Sequence, residues 1–416
     1  MPPPRPTVAL IVLTGLPTGA TEAVARLLLG LPGTVVVHHD LRAVPTGVVH
    51  RRVRDGAGDV TTAVRLTHGC ISCTLREDLL PQLRHLAHDE RTARIVLHLD
   101  PALEPERVCR ALADMPVAGR TVIDDVDLRG VVAVVDVGSW LADATGAETV
   151  AGRGLSTLLG DERTVAQIAV EQMESADLIV VTGDAPARER AVADAVLDRL
   201  APAAVRPGVD RLAADPRPLL LDDLAPGARR GRPVGVHGPL LRGAPPLDAA
   251  SGVRLHPFTA RRPFHPERLH DALDVLLDGV VRSRGRIWLA TRPDEVMWLD
   301  SAGGGLRLGP AGHWLDGAGP EEWAADRERA ALAAAGWDRR FGDRAHDVTV
   351  LCHDADPADV DAALRAALLT DDELAGGAPR WARLPDPFGR SHTDPCTPSP
   401  VVGEGPQGRG RRPYDG

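Results

Sequence analysis

The sequence contains no lysine and no asparagine, so its 48 basic side chains set against 58 acidic ones are all arginine. Without lysine there is none of the point charge that a phosphate-binding loop places against β- and γ-phosphates. Aromatic residues make up only 3% of the chain, with a single tyrosine, which argues against a base-stacking surface for single-stranded nucleic acid. The net charge of -10 supplies no field to gather phosphate backbones, so direct sequence-specific nucleic-acid binding is not expected, and a basic partner suits the chain better. Five cysteines cannot staple 416 residues. An odd number containing one Cys-x-x-Cys pair points instead to a reducing compartment and a metal or redox site, with the cytoplasm as the expected location. No apolar run approaches the roughly 20 residues that span a bilayer, so no membrane partner is expected. The short run Thr7 to Leu13 leads into Gly15, Pro17 and Gly19 and is a buried first strand rather than a signal-peptide core.

What is present is a globular composition, 44% hydrophobic, alongside 42 Gly and 36 Pro that call for a linker or tail. Continuous apolar runs at Val8–Leu13, Thr34–Val37, Ile95–Leu99, Val131–Val135 and Leu178–Val181 have the pattern of strands buried on both faces. Helical patterns at Thr21–Leu29, Leu75–Ala87, Glu104–Ala113, Arg163–Glu174 and Ala187–Leu200 alternate with them. The expected fold class is α/β: a parallel sheet over residues 1–205, with sites at the carboxyl ends of its strands. Residues 206–250, rich in Pro, Gly and Arg, are expected to form a linker with little structure of its own. A smaller α+β domain over 251–388 opens with a helix from Pro266 to Gly279, adds strands at Ile287–Ala290, Val296–Leu299 and Val348–Cys352, and a helix at Pro357–Leu369. The tail 389–416 is expected to be disordered.

Two loops carry the chemistry. Thr14-Gly15-Leu16-Pro17-Thr18-Gly19-Ala20-Thr21 stands where a P-loop would cradle phosphate on backbone amides and a helix N-terminus. That pattern wants Gly at Ala20, Lys at Thr21 and Ser or Thr at Glu22, and lacks all three. Gly15, Gly19 and Thr21 are the candidate cofactor-binding residues of a degenerate loop. The competing reading is a tight strand-to-helix turn that retains only the shape.

The second loop is His68-Gly69-Cys70-Ile71-Ser72-Cys73-Thr74-Leu75-Arg76-Glu77. Thr74 and Glu77 have capping-box spacing, which would set Cys73 just before a helix N-terminus and favour its thiolate. Two thiolates are half of a tetrahedral zinc site, so other ligands must come from elsewhere. The candidates are His68, His38 and His39, with His98 on the same side of the sheet. The metal set is therefore Cys70, Cys73, His68, His38 and His39. A buried inert pair and a dithiol redox pair are the alternatives, whereas Cys109, Cys352 and Cys396 are explained by packing or exposure.

The stretch His68 to Arg76 resembles the Gly-Cys-Ile-Cys-Cys-Thr-Leu-Arg signature of the CobW-like P-loop GTPases and zinc metallochaperones, with Ser72 replacing the middle Cys. Arg262–Leu269, Arg282-Ser283-Arg284-Gly285, Gly342-Asp343-Arg344 and Leu369-Thr370-Asp371 resemble that family's C-terminal domain. The resemblance implies a P-loop NTPase-like domain followed by a CobW C-terminal domain, and zinc and GTP as ligands. The sequence departs from it in the nucleotide motifs. Thr182-Gly183-Asp184-Ala185 stands for the guanine-reading Asn-Lys-x-Asp, His98-Leu99-Asp100-Pro101 for Glu-x-x-Gly, and His38-His39 for Asn-Glu. GTP is therefore doubtful, unless Arg26 or Arg42 replaces the lysine, and no catalytic residue is assigned. The ribosome hibernation factor-recruiting branch of the family is similar in having Cys-x-x-Cys. That similarity implies a zinc-responsive protein that brings a ribosome hibernation factor to the small ribosomal subunit in zinc limitation. A GTP-dependent zinc metallochaperone is the alternative, and a dithiol oxidoreductase the second.

Overall fold

The computed structural model describes residues 7–156, 160–232, 235–238, 240–241 and 243–389. Cys396 and the tail from 390 onward lie outside these. The first half builds a seven-stranded sheet from β1 (Val8–Thr14), β2 (Thr34–Asp40), β3 (Val48–Arg54), β4 (Asp59–Arg65), β5 (Arg94–His98), β6 (Val126–Asp136) and β7 (Leu178–Thr182), in the order β4-β3-β2-β5-β1-β6-β7. β2, β5, β1, β6 and β7 run parallel. Along β1, Leu10 and Val12 enter one apolar layer while Ile11 and Leu13 enter another, which is why its sequence is apolar without alternation.

β3 and β4 form an antiparallel extension that the apolar pattern does not announce. β4 is largely exposed and β3 carries His50, Arg51, Arg52 and Arg54, so neither shows the buried-strand signature. The 206–250 stretch also departs from expectation. It contains a helix, Val209–Ala214, and a 3₁₀ turn, Arg217–Leu220. These bury Leu212, Leu219 and Leu221 against Val24, Ala25 and Leu28 of the helix Thr18–Leu29, a core contribution hidden in a Pro- and Arg-rich composition.

The second half is a five-stranded antiparallel sheet of β8 (Arg254–Ala260), β9 (Val280–Ile287), β10 (Glu295–Ala302), β11 (Gly305–His313) and β12 (His346–Cys352), in the order β11-β10-β9-β12-β8. β9 lies N-terminal to the expected run Ile287–Ala290, because its alternating Arg282, Arg284 and Arg286 disguise it. The expected helices are found at Pro266–Ala272, continued as a 3₁₀ turn Leu273–Leu276 before Gly279, and at Pro357–Ala366. The fold is thus a mostly parallel P-loop GTPase-like α/β domain followed by a domain with an antiparallel sheet.

One apolar layer joins the halves, in which Ala133, Ile179 and Val196 pack with Val253, Val281 and Leu351. Beside it Glu174, in the helix Val165–Ser175, accepts from Arg282 at 2.9 Å and Arg284 at 3.1 Å, and Arg282 also binds Asp300. Burial alone would raise the Glu174 pKa, but the two guanidiniums hold it below the ordinary carboxylate value. Among the described residues, no helix is long and apolar enough to cross a membrane.

Candidate functional site

The loop after β1 keeps the shape of a phosphate cradle. A Cβ on Gly15 would stand 2.7 Å from the backbone oxygen of Val134 in β6 and 2.7 Å from the Thr21 hydroxyl, so only glycine lets the chain turn there. Gly19, in the first turn of the helix Thr18–Leu29, has open space around it. Thr21 is buried, and its hydroxyl donates to the Pro17 carbonyl at 3.0 Å, within its own helix. Where a P-loop presents a hydroxyl to magnesium, Glu22 is bound at both carboxylate oxygens by Arg54, at 3.0 Å for the Nη2–Oε2 contact. His98 Nδ1 approaches the same carboxylate at 3.8 Å. Burial opposes ionisation of Glu22, yet the Arg54 hydrogen bonds hold its pKa below the usual value.

The two arginines offered above as replacements for the missing lysine are already engaged. Arg42 binds both oxygens of Asp40, and Arg26 lies 3.9 Å from Glu22. A cavity of about 340 Å³ beside the loop is lined by Leu16, Pro17, Trp140, Asp136, Asp143 and Arg153, and Arg153 is bonded to Asp143 and Glu148. In the turn after β7, the Asp136 carboxylate packs so closely on Gly183 that a Cβ there would meet it at 2.1 Å. These side chains supply none of the usual contacts to a triphosphate, to magnesium or to guanine, and no step is derived through a bound nucleotide.

The cysteine loop follows β4. Cys70 is the N-cap of the turn Ile71–Cys73, and its Sγ accepts from the Cys73 backbone N–H at 3.4 Å. The chain continues as a π-helical segment, Thr74–Leu79, and then the α-helix Leu80–Ala87. The expected capping box at Thr74 and Glu77 does not form, because the helix begins earlier. Thr74 donates its hydroxyl back to the Cys70 carbonyl at 3.1 Å, and Glu77 accepts from the Thr67 N–H at 2.8 Å. Gly69 is required by contact, since a Cβ there would lie 2.4 Å from the Val44 carbonyl oxygen.

His68 Nδ1 lies 3.5 Å from Cys73 Sγ, so His68, Cys70 and Cys73 come together in one loop. His38 and His39 are engaged elsewhere. The Nδ1 of His38 lies 3.0 Å from the His98 carbonyl, with the two rings 4.8 Å apart. His39, buried, contacts Asp78 at 2.8 Å, and Asp78 also accepts from Arg51 at 2.5 Å. Among the described residues, no group of three or more His, Cys, Asp or Glu side chains is placed to hold a metal ion. Two thiols and an imidazole in one loop are nonetheless the soft donor set that zinc takes.

Cys73 is only 8% exposed. Burial, with the neighbouring Cys70 thiol, pushes its pKa up to about 12, which corrects the expectation that a helix N-terminus favours its thiolate. A neutral Cys73 is a poor attacking group for dithiol exchange. The sequence reading missed Asp78, Arg51 and Arg54, whose signal is a pair of arginines set into a strand beside apolar Val49 and Val53. Cys109 and Cys352 are buried and free.

Residues 37–204 match the CobW/HypB/UreG nucleotide-binding domain, and residues 253–368 match the cobalamin synthesis protein cobW C-terminal domain. The chain belongs to this family. It is 47% identical over 393 residues to the zinc chaperone Rv0106 of Mycobacterium tuberculosis, covering 91% of this chain and 93% of that one. It is 24% identical over 336 residues to zinc-regulated GTPase metalloprotein activator 1 of Dictyostelium discoideum, covering 79% of this chain and 70% of that one. The crystal structure of the Zn(II)-bound YjiA GTPase from E. coli matches with a TM-score of 0.37 and 13% identity, over 88% of this chain and 100% of that one.

Proposed function

We propose that this chain is a zinc metallochaperone that takes zinc as cargo on Cys70, Cys73 and His68 and hands it to a metal-free client. One observation carries the reading: the three donors lie within a single loop, with His68 Nδ1 3.5 Å from Cys73 Sγ, and among the described residues they are not drawn together into a preassembled metal cluster. A structural zinc site is closed, whereas a site that must release its metal is served by an incomplete donor set. The zinc named for the mycobacterial and Dictyostelium relatives supports the same cargo. GTP dependence belongs to this reading in a weakened form, since Glu22 and Arg54 are paired at the place of the magnesium hydroxyl.

The test is activation of a metal-free zinc enzyme by the zinc-loaded chain, with and without GTP and magnesium. Transfer from the wild type and none from Cys70→Ala/Cys73→Ala is the expected result, and acceleration by GTP marks a GTP-dependent chaperone. Equal activation by the double variant overturns the reading.

A second reading makes the same loop a sensor that recruits a ribosome hibernation factor to the small ribosomal subunit when zinc is scarce. Ser72 at the middle position of the cysteine motif and the missing lysine and asparagine favour it. Pull-downs from zinc-starved and zinc-replete cells separate the two. Zinc-dependent recovery of ribosomal proteins supports the sensor, and identical recovery in both removes it.

A further inference from the structure

A second cavity lies away from the loops described above. It opens between the two domains at the opposite, N-terminal edge of β6 and β7, with a volume of about 780 Å³, within the range of small-molecule sites. Among the described residues, seven arginines and four carboxylates line it. The carboxylates are already engaged. Glu174 serves Arg282 and Arg284, Asp177 accepts the backbone N–H groups of Arg230 at 2.7 Å and Val131 at 3.0 Å, and Asp326 caps its own helix.

The arginines are less well matched. Arg199 is 6% exposed, and its guanidinium meets only the backbone carbonyls of Ala195 and Asp248. Arg329 donates to the His313 carbonyl. The Nε groups of Arg199, Arg229, Arg284 and Arg329 are buried with no hydrogen-bond partner among the described residues. A buried guanidinium without an anion is costly, and planar guanidinium forks match phosphate oxygens in geometry and charge. Beyond the charged groups the lining is largely aliphatic, with Leu200, Leu255 and Leu351, and His237 is the one aromatic ring among the described lining residues. Such a lining offers no stacking platform for a base.

From this arrangement we infer that the interdomain cavity is a binding site for a small molecule bearing several phosphate groups, held through its phosphates by Arg199 and Arg329 rather than through a nucleobase. The site touches both domains, so its ligand favours one arrangement of the two over another. It is independent of the zinc reading and of the loop after β1.

The test is calorimetric titration of the full chain, in zinc- and magnesium-free buffer, with inorganic tripolyphosphate and separately with GTP and ATP. The expected result is one saturable site with similar affinity for all three. Arg199→Gln and Arg329→Gln should each weaken it at least about tenfold, which is about 1.4 kcal/mol. Arg329 is only half-buried on its helix, so its variant keeps the test valid if Arg199→Gln does not fold. No saturable heat, affinity unchanged in a folded Arg329→Gln variant, or binding that demands guanine overturns the inference.

Discussion

Two loops leave strands of the same sheet, β1 and β4, and lead into helices, and they differ in what they present. The loop after β1 keeps its shape: Gly15 still turns against Val134, and Thr21 still closes the first turn on Pro17. Its chemistry is gone, with a carboxylate and guanidinium paired where phosphate and magnesium would be met. The cysteine loop keeps its chemistry, two thiols and an imidazole, on a scaffold of unusual shape that runs through a π-helical segment. Backbone shape is demanded by packing whatever the ligand, so it survives loss of function.

The sharpest way to break this contrast is to remove the donors. Cys70→Ala/Cys73→Ala should lower zinc affinity by more than the roughly 10- to 100-fold that changes to outer-shell partners cost, since two direct ligands are lost. Competition with a chromogenic chelator measures it, and the melting temperature of the metal-free protein should fall modestly, because Cys73 is buried in the apolar core while Cys70 is half-buried at the helix entry. The converse change at the other loop should act on stability instead. Gly15→Ala forces a Cβ against the Val134 carbonyl and should cost about 2 kcal/mol, as overpacked sites do. Urea unfolding reads that loss, while zinc affinity per folded molecule should equal the wild type.

Much of this was legible in the sequence, for reasons that differ by residue. The parallel strands announce themselves because burial on both faces makes residues such as Leu10 to Leu13 uniformly apolar. β3 and β9 do not, because their buried or paired positions are filled by arginines whose partners, Asp78, Glu22 and Glu174, are distant in the chain, and β4 does not because it is largely exposed. The three-donor loop was readable as a local motif. That His38 and His39 would be held by His98 and Asp78 was not, since those contacts span 60 and 39 residues. Cys73 misled for a related reason: a cap read from Thr74 and Glu77 ignores that the helix starts at Ile71 and buries the thiol.

A third test tries to restore what the first loop lost. Ala20→Gly/Thr21→Lys/Glu22→Thr reinstates the three P-loop positions on a backbone that still has the turn. Magnesium-dependent binding of nucleoside triphosphates should strengthen by about tenfold or more, roughly 1.4 kcal/mol. No preference for GTP over ATP should accompany it, because Thr182 to Ala185 has no base-reading side chains. Unchanged binding would mean that the shape has drifted along with the chemistry. Guanine selectivity would mean that residues outside the usual motif read the base.

The smallest effect isolates Glu22 as a charge. Its folded pKa lies below the ordinary 4.5, because the Arg54 hydrogen bonds outweigh the burial that would raise it. A depressed carboxylate pKa contributes stability that is complete above the unfolded value and is lost as pH falls through the folded one. Its partner Arg54 is only 5% exposed. Glu22→Gln should therefore be less stable than wild type by about 1 kcal/mol at neutral pH, a figure kept small because the carboxylate is partly solvent-exposed and screened. As Glu22 in the wild type becomes protonated, the two proteins should converge, and urea titrations at neutral pH and well below pH 4.5 should show that gap closing. A gap of equal size at both pH values would mean that Glu22 is retained for its shape. It would then belong with Gly15 and Thr21 as part of the turn, and the charge pair with Arg54 would be incidental to the loop.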